Sequence, residues 1–260
     1  MLCLHGFTDT WRTWELVLPY LTQHHDVLAP TLAGHAGGPP FSGEISDVSV
    51  LDAVERAMDE AGFETAHIVG NSLGGYLALR LAERGRARTV VALAPAGGWM
   101  KGDHARDEVL DLFRSMQELL GPVAPYADAI VATKQGRRAT TRYTVANYDH
   151  IPRELLAHQI RGAAGCKSAY ELIDHAFRHD WNLDAESVTC PVRILWGTAD
   201  RLLRWPSAAV RFRQEWLPAA DWVELDGVGH LPQLDVPLET AQLILGFTAG
   251  TGSLGAIRAR

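Results

Sequence analysis

The chain has 260 residues, 47% of them hydrophobic, enough to bury a full core in one domain or in a domain carrying an insertion. Its 24 Lys and Arg against 31 Asp and Glu give a formal charge of −7, and no basic run is long enough to track phosphates, which argues against nucleic acid as a partner. No apolar run approaches the roughly 18 residues of a membrane span, and the first residues lack a signal peptide's basic region and cleavage site, so a cytoplasmic protein is expected.

Met1-Leu2-Cys3-Leu4 is an apolar run that stops at His5-Gly6-Phe7-Thr8-Asp9-Thr10, which predicts a buried strand followed by a loop. Trp11 to Leu21 has helical apolar spacing at Trp14, Val17, Leu18 and Leu21, with Pro19 as an expected interruption. Asp26 to Pro30 reads as a second strand, running into a Gly- and Pro-rich loop from Leu32 to Pro40. A helix is predicted over Ser46 to Ala61, stopped by Gly62. Ala66 to Val69 is a short strand, Tyr76 to Ala82 a helix, and Thr89 to Ala94 another buried strand.

Between about Trp99 and Ser187 helical periodicity dominates and no convincing buried strand occurs, so this stretch is expected to be a helical insertion. Strand patterns return at Val192 to Trp196 and Trp222 to Leu225, with a helix expected between them over Ser207 to Leu217 and a last helix over Leu238 to Phe247. Ala249 to Arg260, rich in small residues, reads as a frayed end. Strands alternating with helices imply an α/β fold around a parallel sheet. Three distant cysteines, Cys3, Cys166 and Cys190, argue against a disulfide framework or a metal or redox pair.

The stretch that carries chemistry is Val69-Gly70-Asn71-Ser72-Leu73-Gly74-Gly75, a serine flanked by glycines between a strand and a helix. A serine on such a sharp turn needs neighbours without Cβ atoms. Its hydroxyl is a weak nucleophile, so it requires a histidine to accept its proton and an acid to hold that histidine. Asp200 lies just past the strand Val192 to Trp196, and His230 just past the strand Trp222 to Leu225. In an open parallel sheet the residues beyond the strands' carboxyl ends gather along one edge, so the three converge.

With its segments His5-Gly6-Phe7, Gly34-His35-x-Gly37, Gly70-x-Ser72-x-Gly74, Gly197-x-x-Asp200 and Gly229-His230, in that order, the chain resembles the α/β-hydrolase superfamily, in its cap-bearing lipase and esterase-like branch. The resemblance implies an α/β-hydrolase fold: a mainly parallel sheet flanked by helices, with a helical cap (98–187) inserted after the sixth strand of the family fold into a core made of 1–97 and 188–260. It assigns Ser72, Asp200 and His230 as catalytic residues and the backbone N–H groups of Phe7 and Leu73 as the oxyanion hole. Relatives usually carry a β-hairpin before the first strand seen here, and an upstream natural start is therefore expected. Thr31 stands where relatives commonly have aspartate.

His5 is read as packing the oxyanion loop through hydrogen bonds in preference to serving as a second base. His175-x-x-x-His179 has metal-ligand spacing but lacks the glutamate of His-Glu-x-x-His, and an exposed helix face is preferred, so no metal is expected. Asp226 and Asp235 compete with Asp200 by proximity to His230, and the strand-end position favours Asp200. The expected pocket draws on His5, Trp99, Leu202, Leu203, Trp205 and Leu231, roofed by Met100, Phe113, Met116, Tyr143, Tyr148, Phe177 and Trp181. No cofactor is implied; the partner is a small-molecule substrate, and the oligomeric state, a dimer included, stays open. The expected activity is hydrolysis of a small or medium, mostly apolar carboxylic ester. Carbon–carbon bond hydrolysis or an elimination by the same residues is the alternative, and a non-catalytic ligand-binding homologue is the reading from another class. A nucleophilic aspartate is excluded by Ser72 itself.

Overall fold

The computed structural model describes residues 1–41, 43–46 and 48–250, so the expected tail from 251 onward lies outside the described residues. Five parallel strands form one sheet in chain order: β1 (Leu2–Leu4), β2 (Ala66–Asn71), β3 (Ala87–Leu93), β4 (Val192–Gly197) and β5 (Asp221–Leu225). The inner strands β2, β3 and β4 are joined by crossovers that cover both faces and are mostly apolar, whereas β5, at the sheet's edge, leaves Asp221 and Glu224 exposed.

The period-two alternation of a strand divides these residues between two cores. Leu2, Leu4, Ile68, Val90, Ala92, Ile194 and Trp196 face one side. They pack against α2 (Ser49–Glu60) and α3 (Leu73–Glu83), together with Phe212. Met1, Cys3, Val69, Val91, Leu93 and Leu195 face the other, where α1 (Leu18–Leu21) and the last helix, Pro237–Gly250, cover them. Each large side chain buried in this way, Trp196 or Phe212 for example, stabilises the fold by roughly 1.5–3 kcal/mol.

Between β3 and β4 the described chain is helical: α4 (Ala105–Val123), α5 (Ala127–Val131), α6 (Lys134–Thr140), α7 (Arg153–Ala164) and α8 (Ala169–Arg178). A third cluster joins them to the sheet's carboxyl edge, with Leu155, Leu156 and Ile160 of α7 packed with Leu231 and Leu234. Leu231 caps the short helix α9 (Pro232–Asp235) and Leu234 lies within it, ahead of α10, the Pro237–Gly250 helix.

Three expected elements are altered. The Asp26 to Pro30 strand is a single bridge, Leu28 to Leu2, because Pro30 has no N–H with which to extend a ladder. The Trp11 to Leu21 helix breaks into a 3₁₀ turn, Trp11–Trp14, and α1, with Pro19 in the first turn of the latter, where a missing N–H costs nothing. The Ser207 to Leu217 helix is replaced by a 3₁₀ turn, Ser207–Ala209, and a π-helical turn, Phe212–Trp216. Among the described residues no helix is long and apolar enough to cross a membrane.

Candidate active site

Ser72 lies between β2 and α3 with φ 54° and ψ −116°, a conformation that costs a non-glycine residue on the order of 1–3 kcal/mol. The surroundings enforce it. A Cβ at Gly70 would stand 2.1 Å from the Gly74 carbonyl oxygen, and one at Gly74 would stand 2.3 Å from that of Leu4. Strand, serine and helix can therefore approach only with glycine at both places. The serine's backbone is also bonded in: its N–H donates to Leu93 O at 2.9 Å, and its carbonyl accepts from Tyr76 and Ala96 at 3.0 Å.

Asp200 and His230 meet at the same sheet edge. The ring Nδ1–H of His230 donates to Asp200 Oδ2 at 2.7 Å, and both side chains are buried. The other carboxylate oxygen accepts the backbone N–H groups of Leu202 and Leu203, each at 2.8 Å, so the acid cannot rotate without losing three bonds. This arrangement fixes the tautomer of His230 and leaves Nε2 as an acceptor, buried and without a partner among the described residues. Asn71, next to the serine, donates from Nδ2 to the His230 carbonyl at 3.0 Å and to Leu93 O at 3.1 Å, tying the serine turn to the histidine loop.

Asp235 is not the partner of His230. Its buried carboxylate accepts Gly229 N–H at 2.6 Å, Ala146 N–H at 2.9 Å, Asn147 N–H at 2.8 Å and Asn147 Nδ2 at 2.7 Å. It thereby clamps the residue before His230 to the 144–147 segment that follows α6, and Leu231 N–H adds a bond to Thr144 O at 2.9 Å. Asp226 accepts Thr198 Oγ1–H at 3.1 Å, on the surface.

The loop after β1 folds back over the serine. A Cβ on Gly6 would come within 3.3 Å of Ser72 Cβ, and Thr8 closes the turn at φ 63° with Asp9 N–H donating to Gly6 O at 3.2 Å. His5 secures this loop: Nδ1–H donates to Gly6 O at 2.7 Å and Nε2 accepts Leu32 N–H at 2.9 Å. Burial, and then the neighbouring His35, hold its pKa well below the usual range, so it is a neutral packing residue with no spare acceptor. His35, lowered by burial to about 4, packs edge-on against His5 and Phe7. The N–H groups of Phe7 and Leu73 have no acceptor among the described residues, and Leu73 opens α3, where helix geometry leaves the first donors unpaired and the dipole favours negative charge.

A cavity of about 280 Å³ opens on Ser72. Its floor is one face of α3, its roof Leu110 and Phe113 of α4 and Ile173 of α8, and its sides include Trp99 and Trp181.

The model of the alpha/beta hydrolase family matches residues 1–243. Epoxide hydrolase EphH of Mycobacterium tuberculosis is 34% identical over 204 residues, spanning 78% of this chain and 95% of that protein. The chain belongs to the alpha/beta hydrolase family. A pimeloyl-[acyl-carrier protein] methyl ester esterase of Aromatoleum aromaticum is 28% identical over 94% of this chain and 96% of its own. Among solved structures, a thermophilic esterase from Thermogutta terrifontis superposes with a TM-score of 0.71 at 18% identity, over 96% of this chain and 89% of that one, a likeness of fold alone.

In this alpha/beta hydrolase the cavity wall departs from the pocket expected from sequence. Trp99, Leu203, Phe113 and Trp181 line it, with Phe7 and Leu73. His5, Leu202, Trp205 and Leu231 do not. His5 faces Leu32; Leu202 belongs to the main core and acts on Asp200 through its backbone; Leu231 is held in the α7 cluster. Trp205 is turned away, between Trp196 and Trp222 and against the Arg213 guanidinium. Met100, Met116, Tyr143, Tyr148 and Phe177 also lie off the wall. Among the wall residues that sequence reasoning missed, Tyr76, Leu77 and Arg80 follow Ser72 at helical spacing, a signal available in the sequence once one face of α3 is taken as the floor. The three thiols are no competing nucleophiles: burial pushes Cys3 and Cys166 up to about 12 and Cys190 to about 11. Among the described residues no cluster of His, Cys, Asp or Glu is arranged to hold a metal ion.

Proposed function

We propose that the protein is a serine hydrolase that cleaves a small or medium, mostly apolar carboxylic ester through an acyl-enzyme on Ser72. The observation that carries this reading is the His230 ring, bonded through Nδ1 to a buried, fully engaged carboxylate, its buried Nε2 without a partner among the described residues, on a loop that Asn71 ties to the strained Ser72. Ser72 Oγ attacks the ester carbonyl while its proton passes to Nε2. Asp200 keeps the tautomer and stabilises the imidazolium. The carbonyl oxygen, now an oxyanion, takes the N–H groups of Phe7 and Leu73, an interaction of which each half is worth about 3 kcal/mol in the transition state. Collapse expels the alcohol with the proton from His230. Water, deprotonated by the same Nε2, then releases the acid.

The similarity to a protein named epoxide hydrolase suggests a second electrophile, and the nucleophile argues against it. An epoxide opened by serine leaves an ether, which this machinery has no means of hydrolysing. An ester carbonyl attacked by serine leaves an ester, which it can hydrolyse. Pre-steady-state hydrolysis of p-nitrophenyl esters from acetate to decanoate tests the reading. A p-nitrophenolate burst stoichiometric with enzyme, absent in Ser72→Ala, is expected; turnover that survives Ser72→Ala contradicts it.

A further inference from the structure

One wall of the cavity changes character along its length. Ser72, Leu73, Tyr76, Leu77 and Arg80 of the serine turn and α3 all line it, so the cavity runs along the helix for about 12 Å at 1.5 Å per residue. Its middle is apolar, between Leu77, Leu110, Phe113 and Ile173. Its far end is a guanidinium.

That guanidinium is held in place. Arg80 Nη1 donates to Tyr76 Oη at 3.0 Å and to Asn182 O at 3.4 Å, and Nε stands 2.9 Å from Glu83 Oε2. Tyr76 Oη is itself fixed, donating to Asn182 O at 2.6 Å and accepting Asn182 N–H at 3.1 Å. Arg carries five N–H donors, and none of these contacts uses Nη2. His175 and His179, with rings stacked at 4.1 Å, also line the cavity. Asp180 is the one carboxylate in the wall among the described residues, and it is turned toward Arg106 Nη1 at 3.3 Å and Lys101 Nζ at 3.9 Å. Glu83 offsets part of the Arg80 charge while orienting it, and it is the one carboxylate in an ion pair with Arg80 among the described residues. A planar cation already immobilised loses little entropy when a carboxylate joins it.

We propose that the Arg80 end of the cavity is a carboxylate-binding site, and that the preferred substrate is an ester whose chain ends in a carboxylate separated from the scissile bond by an apolar spacer. This rests on the serine-hydrolase reading. The carboxylate can belong to the acyl half, as in the monoester of a linear dicarboxylic acid, or to the alcohol half, as in the acetyl ester of an ω-hydroxy acid. An ester at Ser72 and an anion at Arg80 would span the apolar middle, matching the substrate's ends to the cavity's.

The test compares p-nitrophenyl monoesters of linear diacids, from succinate to sebacate, with the p-nitrophenyl monocarboxylates of equal chain length, and acetylated ω-hydroxy acids with acetylated alcohols. For one of the two sets the wild type is expected to favour the acid-tipped ester by about 10-fold or more in kcat/KM, at one optimal spacer length, and that ratio is expected to fall to about one in Arg80→Gln. Free diacids should also inhibit wild-type turnover of the neutral ester competitively and better than monoacids, a readout that needs no variant. A wild-type ratio of one or below in both sets, with no advantage for diacid inhibitors, overturns the proposal and leaves the serine hydrolase standing. Absence of any Ser72-dependent turnover overturns the hydrolase reading itself, so the two failures are distinguishable.

Discussion

The sheet's carboxyl edge and the helical stretch between β3 and β4 build the site in opposite ways. At the edge, three side chains from distant parts of the chain are placed by backbone: a strained turn for Ser72, two N–H bonds for Asp200, and the Asp235 clamp for the His230 loop. The helices supply the cavity wall with apolar surface, Leu110, Phe113 and Ile173. The first region is held by its carboxylates, Asp200 and Asp235, each of which accepts several donors at once. The second region sets size and contour, and exchanging one apolar side chain there alters fit more than chemistry.

Substitutions at the two regions should differ in scale. Asp200→Asn keeps the shape but favours the wrong His230 tautomer, and kcat is expected to fall about 10⁴-fold with KM nearly unchanged, measured on a p-nitrophenyl ester. Gly74→Ala drives a Cβ into the Leu4 and His5 carbonyls at 2.3 and 2.6 Å, so a loss of stability of several kcal/mol is expected in chemical denaturation. Asp235→Ala frees Gly229, Ala146 and Asn147 together, and a fall in kcat of about 10–100-fold is expected from a misplaced His230. Phe113→Ala, in the roof, should raise KM for short acyl chains by about 10-fold or less and shift the optimum toward longer ones. An effect at Phe113 equal to that at Asp200 would erase the distinction between the regions.

A further difference concerns the pH dependence of stability. Burial lowers His5 well below its ordinary value and brings His35 and His67 to about 4, while an unfolded histidine titrates near 6.5. Between these values the unfolded state binds more protons, so stability is lost as pH falls from about 6.5 to about 4, by up to about 1.4 kcal/mol per unit for each fully buried histidine. Asp9, raised by burial to about 6, acts in the opposite direction over about pH 4 to 6, because there the folded state binds more protons. Melts at pH 7 and pH 5 should therefore show a net drop in Tm on acidification, and a larger drop in Asp9→Asn.

The strands and the serine turn could be read from the sequence because their signals are local: apolar runs, and glycines where no Cβ fits. Asp200 and His230 were legible because each follows a strand, and the sheet does the rest. The pocket was not, because proximity in sequence to Asp200 says nothing about direction. Leu203 turns inward and Trp205 outward, packed at a tilt between two other tryptophans, a choice made by packing. The carboxylate of Asp235, five residues past His230, was visible as a candidate acid, whereas its four N–H donors come from residues up to 89 positions away and only folding reveals them.

The central claim is that Ser72 is an activated nucleophile. Reaction of the folded protein with a fluorophosphonate probe, followed by mass mapping of the labelled peptide, tests it most directly. The account predicts one label per chain, on Ser72, lost in Ser72→Ala and slowed strongly in His230→Gln. A folded wild type that stays unlabelled, or a label on another residue that persists in Ser72→Ala, would contradict it.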